Sequence, residues 1–153
     1  MMIQNPVLTS FTRVRVRYSE TDQMGVVYHA NYLVWMEVAR VDYCLQAGFR
    51  YRDLENEFGV MLAVTEAGCR YLSPARYDDE IEIATVLTRS HHRAVTFGYE
   101  LRTVPAAGEG ASRKIATGHT NHIFVNREMR PTALPVKFRG MLSIPEIQAA
   151  VAD

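Results

Sequence analysis

The sequence predicts an α+β fold in which an antiparallel sheet of about five strands wraps around one long helix. Two observations carry this prediction. The segment 31–47 is apolar on nearly every side at helical spacing. The segments before and after it alternate between apolar and polar residues, as half-buried strands do. Strands grouped around a lone helix favour an antiparallel sheet, since parallel sheets need a helix between successive strands.

The N-terminal part of the chain predicts a strand and a loop. Residues 11–18 alternate, with Arg13 and Arg15 on the open face, which indicates a half-buried strand. Residues 19–28 break this alternation and are expected to form a loop that leads into the long helix.

The long helix is predicted over 31–47. Asn31 is expected to be its N-cap, and Gly48 is expected to end it. Because apolar residues surround the helix, we expect it to be buried on all sides. Glu37 and Arg40 are three residues apart and are expected to pair with each other on the helix surface.

Four more strands and further short helices are predicted beyond the long helix. The strands cover 60–67, 80–85, 95–102 and 114–125, and short helices cover 52–58 and parts of 134–151 around Pro145. A chain of 153 residues accommodates these elements in a single domain, 1–153.

The composition is globular and electrically balanced. Seventeen basic and seventeen acidic residues give a net charge of zero, so nothing in the overall charge favours nucleic acid or an anionic membrane as a partner. Neither Cys44 nor Cys69 lies in a CxxC motif, and the N-terminus lacks the pattern of a signal peptide. No apolar stretch approaches the roughly 18 residues that span a bilayer. We therefore expect a cytoplasmic protein without a membrane span.

The most informative segment for function places Asp22 in a turn with Gly25, seven residues before His29 and the start of the helix. A carboxylate can act as a general base or as a nucleophile. Backbone N–H groups at the start of a helix can stabilise a developing oxyanion. Such a layout suits acyl transfer, although Asp is also an ordinary turn residue.

Three segments of the sequence carry a family resemblance. They are DQMGVVYHANYL over 22–33, continuing into MEVAR over 36–40; YLSPARYDD over 71–79; and ATGHT over 116–120 with Pro131 and Leu134. These segments resemble the hotdog-fold thioesterases of the 4-hydroxybenzoyl-CoA thioesterase family. The resemblance is strongest to the bacterial Tol-Pal-associated acyl-CoA thioesterase branch.

The resemblance implies hydrolysis of an acyl-CoA to a free acid and coenzyme A. It implies that Asp22 is the base or the nucleophile and that the backbone N–H of His29 polarises the thioester carbonyl. Gly25 would let the chain approach the substrate closely. The His29 imidazole is a second candidate catalytic group, and Tyr28 is a candidate for lining the acyl pocket.

Arg89, Ser90, His91 and Arg93 lie at the predicted turn between two strands. Guanidinium groups suit phosphate because they donate two parallel hydrogen bonds. The resemblance places coenzyme A contacts near this turn, so we expect these residues to bind substrate. A solvated basic hairpin tip is the alternative interpretation.

The expected partners are the acyl-CoA substrate, with acyl carrier protein as an alternative thiol carrier, and further copies of the chain in a dimer or a homotetramer. Neither a metal nor a redox cofactor is expected, since coenzyme A is part of the substrate. Two other functions remain open from the sequence. One is a non-catalytic acyl-CoA-binding module, and the other is a hydratase or dehydratase on the same fold.

Overall fold

The computed structural model describes residues 9–144, and its elements follow the predicted order. The strands are β1 (Ser10–Arg15), β2 (Met61–Tyr71), β3 (Glu80–His91), β4 (Ala94–Thr103) and β5 (Lys114–Val125). The helices are α1 (Asn31–Ala47), α2 (Tyr51–Phe58) and the short α3 (Val136–Arg139).

The five strands form one sheet in the order β1-β3-β4-β5-β2, and every neighbouring pair is antiparallel. β2 therefore lies at one edge and β1 at the other. The pairing of β2 with β5 shifts register at a bulge between Val64 and Glu66. α1 packs across one face of the sheet, which we call the inner face. This is the hotdog arrangement, and the predicted fold class is confirmed.

α1 crosses the inner face diagonally. Near its start, the ring of Tyr32 packs against the ring of Tyr71 in β2, with 5.0 Å between the ring centres. Near its end, Asp42 accepts a hydrogen bond of 2.6 Å from the hydroxyl of Thr12 in β1. The helix thus begins beside the β2 edge of the sheet and ends beside the β1 edge.

The predicted bounds of α1 are confirmed, but its predicted cap is wrong. Gly48 ends the helix in the left-handed region with φ 112°, as expected for a C-terminal glycine. At the start, Ala30 occupies the N-cap position and Asn31 is the first helical residue. The Asn31 amide donates to the carbonyl oxygen of Glu20 at 2.9 Å. Asn31 therefore ties the helix to the preceding loop instead of capping it.

The prediction that α1 is buried on all sides is wrong for this chain. The sheet-facing side is buried and includes Trp35, Met36 and Ala39. The apolar residues on the other side are between 39% and 52% exposed: Leu33, Val34, Val38, Val41 and Leu45. A single sheet has one inner face, so it covers only one side of a helix.

The predicted pairing of Glu37 with Arg40 is also wrong. No ion pair joins these two side chains in the structure of residues 9–144. Glu37 is exposed, whereas Arg40 is half-buried and its guanidinium interacts with the hydroxyl of Tyr99 in β4.

Element ends differ modestly from their predicted positions. β1 ends at Arg15 because Tyr18–Glu20 forms a 3-10 turn. β3 continues to His91, beyond the predicted end at residue 85. The predicted C-terminal helices appear as α3, and the part of that prediction beyond residue 144 lies outside the described residues.

Candidate active site

The loop between β1 and α1 folds into a short hairpin that carries Asp22. Thr21 and Val27 form an isolated antiparallel bridge. Inside it, the Asp22 N–H donates to Val26 at 2.9 Å, and the Gly25 N–H donates to Asp22 at 2.9 Å. Gly25 has φ 78°, a left-handed conformation that glycine adopts without strain. The predicted turn is therefore present, and Gly25 is required by its backbone.

One oxygen of the Asp22 carboxylate is held and the other is available. Oδ1 accepts a hydrogen bond of 2.8 Å from the backbone N–H of Met24. Oδ2 accepts none from the residues that the structure describes. The side chain is only partly exposed. Asp22 is thus positioned by its own turn while keeping one oxygen for a substrate or a water molecule.

A second carboxylate, Glu20, organises the same loop and was missed from the sequence. It is 4% exposed, and its oxygens accept hydrogen bonds of 2.8 Å from the Arg17 N–H and from the indole N–H of Trp35. Burial alone would raise the pKa of Glu20, but these hydrogen bonds and the Arg17 charge together lower it. Only the three-dimensional contact with Trp35 distinguishes this Glu from a loop residue on the surface.

The start of α1 presents backbone donors beside this loop. The Tyr28 N–H donates to the Glu20 carbonyl at 2.8 Å, which fixes the direction from which the chain enters the helix. The N–H groups of His29 and Ala30 have no acceptor among the described residues. Unpaired N–H groups at a helix start carry partial positive charge and bind anionic oxygen. The His29 N–H is therefore available to a ligand, as the oxyanion hypothesis requires.

Aromatic side chains frame these donors. The Tyr71 hydroxyl donates to the His29 carbonyl at 2.9 Å, and the His29 ring lies 4.4 Å from the Tyr28 ring and 6.3 Å from the Tyr71 ring, centre to centre. Burial, followed by the neighbouring Cys69 and Tyr32, raises the pKa of Tyr71 to about 12. Tyr71 therefore remains a neutral donor and locks the backbone at His29.

Asp22 and His29 do not contact each other within the chain. No hydrogen bond or ion pair joins them in the described region. The imidazole packs between aromatic rings, whereas Asp22 sits at the tip of the hairpin. Arg76 also reaches this tip, where its guanidinium comes within 3.9 Å of the position that a Cβ would take at Gly25.

The predicted coenzyme A contacts lie on the β3–β4 hairpin. Arg89, His91 and Arg93 are exposed. The Arg93 N–H donates to the His91 ring at 3.2 Å, and the Ser90 hydroxyl donates to the Leu142 carbonyl. Arg89 and Arg93 therefore have exposed guanidinium groups, while the proton of Ser90 is engaged within the chain.

The structure does not bring the two sets of predicted residues together in one chain. β1 runs antiparallel to β3, so the loop after Arg15 lies at the Glu80 end of β3. The Arg89–Arg93 hairpin lies at the other end. We call these the loop end and the hairpin end of the sheet. They are separated along β3 by about 36 Å at 3.3 Å per residue.

A model of the thioesterase-like superfamily matches residues 16–151, which include both ends of the sheet. The chain belongs to the thioesterase-like superfamily. This membership confirms the family resemblance and the predicted enzyme class, a thioester hydrolase.

Relatives of this thioesterase align over most of its length. YneP of Bacillus subtilis (strain 168) is 36% identical over 126 residues, which are 82% of this chain and 84% of YneP. The acyl-CoA thioesterase YbgC of Helicobacter pylori J99 is 33% identical over 135 residues, 86% of this chain and 98% of YbgC. The solved structure of TT1821 from Thermus thermophilus has a TM-score of 0.79 at 35% identity, covering 90% of this chain and 100% of TT1821. Among the described helices of the thioesterase, none combines the length and the apolar character that crossing a membrane requires.

Proposed function

We propose that this thioesterase hydrolyses an acyl-CoA to a carboxylic acid and coenzyme A in the cytoplasm. One observation carries the proposal. The loop end holds a carboxylate with an available oxygen, Asp22, and an unpaired backbone N–H at a helix start, that of His29. Thioester hydrolysis needs these two elements, a base or nucleophile and a donor for the carbonyl oxygen. The likeness to YbgC supports acyl-CoA as the substrate.

In this proposal the thioester oxygen accepts a hydrogen bond from the His29 N–H, which stabilises the charge that develops on attack. Asp22 acts in one of two ways. As a general base it takes a proton from water, which adds to the carbonyl carbon. As a nucleophile it forms an anhydride that water then cleaves. Either way the carbon–sulfur bond breaks and coenzyme A leaves as a thiolate, so the chemistry needs neither a metal nor a redox cofactor.

We propose that Arg89 and Arg93 bind phosphate groups of coenzyme A, with His91 and Ser90 completing the hairpin tip. Two-fold symmetry would let the hairpin of one copy bind the substrate that reacts at the loop end of the other copy. A two-fold axis perpendicular to the strands reverses their direction, so it would place the partner's hairpin end beside this chain's loop end. The acyl pocket beside Tyr28 would then lie between two copies.

A homodimer is the minimal assembly that we propose, and two dimers could form a tetramer. The edge strand β2 is 11 residues long, and much of it is exposed. The uncovered apolar side of α1 includes Val34, Val38 and Val41. Exposed strand edges and large apolar patches are normally paired or covered. Sedimentation at micromolar protein should therefore give at least twice the 17.4 kDa chain mass; a monomer alone would contradict this proposal.

The function itself is tested by thiol release from short-chain, long-chain and aromatic acyl-CoA thioesters, with an acyl carrier protein thioester as a further thiol carrier. We expect turnover of at least one substrate, and loss of that turnover in Asp22→Asn. Binding of acyl-CoA without thiol release from any thioester would instead support the binding-module alternative. Hydration of an enoyl-CoA without thioester cleavage would support the hydratase alternative.

A further inference from the structure

The peptide group between His29 and Ala30 connects the sheet to the start of α1. None of the peptide bonds in residues 9–144 is cis, so the His29 carbonyl and the Ala30 N–H point in opposite directions within one plane. The Tyr71 hydroxyl donates to this carbonyl oxygen at 2.9 Å. The hydrogen bond that holds the carbonyl therefore also fixes the direction of the Ala30 N–H, which points away from Tyr71.

The Tyr71 hydroxyl is itself held in place by neighbours on two elements. The thiol of Cys69, two residues earlier on the same face of β2, forms a hydrogen bond with it. The Tyr71 ring packs edge-on against the ring of Tyr32 in α1. Since the hydroxyl donates its one proton to His29, it accepts from the thiol. Hydrogen bonds in such a chain polarise one another, which strengthens the Ala30 N–H as a donor.

Two neighbouring N–H groups at the start of α1, those of His29 and Ala30, have no acceptor among the described residues. The groups on either side are engaged, because the Tyr28 N–H donates to Glu20 and the Asn31 N–H donates to Tyr28. This last bond closes a helix-like turn, in which Ala30 has φ −66° and ψ −24°. N–H groups of successive residues in such a turn point in nearly the same direction. Both residues are exposed, so one ligand oxygen can reach both groups.

We propose that the Ala30 N–H is a second donor to the thioester oxygen, beside that of His29, and that Tyr71 is the residue that positions it. A carbonyl oxygen has two lone pairs and accepts two hydrogen bonds. Both bonds strengthen as attack on the carbonyl carbon places negative charge on this oxygen. Tyr71 acts through the shared peptide group and does not touch the substrate. The inference rests on the proposed function, because it adds a donor and a positioning residue to the same reaction.

Ala30→Pro removes this one N–H. Proline has no backbone N–H and fixes φ at about −65°, which matches the φ of −66° at Ala30. The chain loses no internal hydrogen bond, because the Ala30 N–H has no acceptor in residues 9–144. We expect kcat for an acyl-CoA to fall about 100-fold, the low end for loss of one oxyanion donor, at an unchanged Tm. The Kd for an acyl-CoA thioether, in which a methylene replaces the thioester carbonyl, should not change.

Tyr71→Phe removes the hydroxyl and keeps the ring against Tyr32. We expect kcat to fall about tenfold, the upper range for one neutral hydrogen bond, with KM unchanged. Tyr77→Phe is the matched control, since Tyr77 is an exposed tyrosine at the same end of the sheet, and it should leave kcat unchanged. A lower Tm in Tyr71→Phe without a lower kcat would make Tyr71 a purely structural contact and overturn its assigned role.

The double variant Ala30→Pro/Tyr71→Phe tests whether the two effects have one cause. If Tyr71 acts through the Ala30 N–H, then Tyr71→Phe should have no further effect on kcat once this N–H is absent. A further loss of the same size as in the single variant would overturn the positioning role of Tyr71.

Normal kcat in a folded Ala30→Pro variant would overturn the second donor and leave the proposed hydrolysis intact. If this variant does not fold, Tyr71→Phe decides alone. Unchanged kcat then overturns the inference, and a lower kcat at unchanged KM and Tm supports it. Absence of thiol release by the wild-type enzyme from every thioester tested would instead refute the proposed function itself.

Discussion

The loop end and the hairpin end of the sheet are built in different ways. At the loop end, Glu20 is buried and binds Arg17 and Trp35, and Tyr71 holds the backbone of His29. At the hairpin end, the charged side chain of Arg89 is exposed. Fixed groups suit bond breaking, where small displacements are costly. Exposed guanidinium groups suit the capture of a solvated phosphate. The comparison predicts that loop-end variants change kcat or stability, whereas hairpin variants change KM.

Within the loop end, the two carboxylates have separate tasks. Glu20 has both oxygens engaged, one by the Arg17 N–H and the other by the buried Trp35 indole, so it holds the loop. Asp22 lies two residues on, with only Oδ1 engaged by the Met24 N–H. Asp22 therefore has the available oxygen, and the fold should tolerate replacement of its carboxylate.

Asp22→Asn should have the largest effect on activity. We expect kcat to fall by at least about 100-fold, the low end for loss of acid–base chemistry. Stability should not change, since an Asn side chain can still accept the hydrogen bond from Met24. Steady-state kinetics and thermal melting measure the two quantities. Normal turnover at an unchanged Tm would make Asp22 an ordinary turn residue, and Glu37 would be the next carboxylate to test.

Glu20→Gln should have the largest effect on stability. The amide places an N–H₂ group against either the Arg17 N–H or the Trp35 indole, so one of these two donors loses its acceptor. We expect the free energy of unfolding to fall by about 2–3 kcal/mol. Urea denaturation measures this, with Glu66→Gln on the exposed face as the control. An unchanged midpoint would show that Glu20 does not hold the loop.

Arg89→Ala and Arg93→Ala should each raise KM for acyl-CoA at least about tenfold with little change in kcat, because a charge-assisted hydrogen bond is worth roughly 1.5–3 kcal/mol. Because these side chains are exposed, their replacement should change the free energy of unfolding only slightly. The measurement compares acyl-CoA with an acyl-pantetheine that lacks the nucleotide. An equal loss with both substrates would mean that the hairpin does not contact the nucleotide.

The smallest predicted effect is a loss of folding stability at acidic pH. The pKa of Glu20 is lowered in the folded chain from its usual 4.5. Its stabilisation is therefore fully present above about pH 4.5 and is lost as the pH falls through the lowered folded value. The stability difference between wild type and Glu20→Gln should shrink over this range. A difference that stays constant down to pH 3 would mean that the folded pKa of Glu20 is not the source of its contribution.

Much of this molecule follows from local sequence. The bounds of α1 and its end at Gly48 were predictable because helical periodicity and a C-terminal glycine act over a few residues. β5 was predicted at Lys114–Val125, where the structure has it. The family and the enzyme class were readable because the motif over 22–33 is long and contiguous.

The tertiary structure decided which of these residues meet. Glu20 is central only because α1 brings Trp35 to it from 15 positions away. Arg40 interacts with the hydroxyl of Tyr99, a buried residue of the sheet, and not with its predicted partner Glu37. Periodicity predicted an apolar surface around α1, but one sheet could bury only half of it. Such outcomes depend on contacts between residues far apart in the chain, where packing and desolvation outweigh local preference.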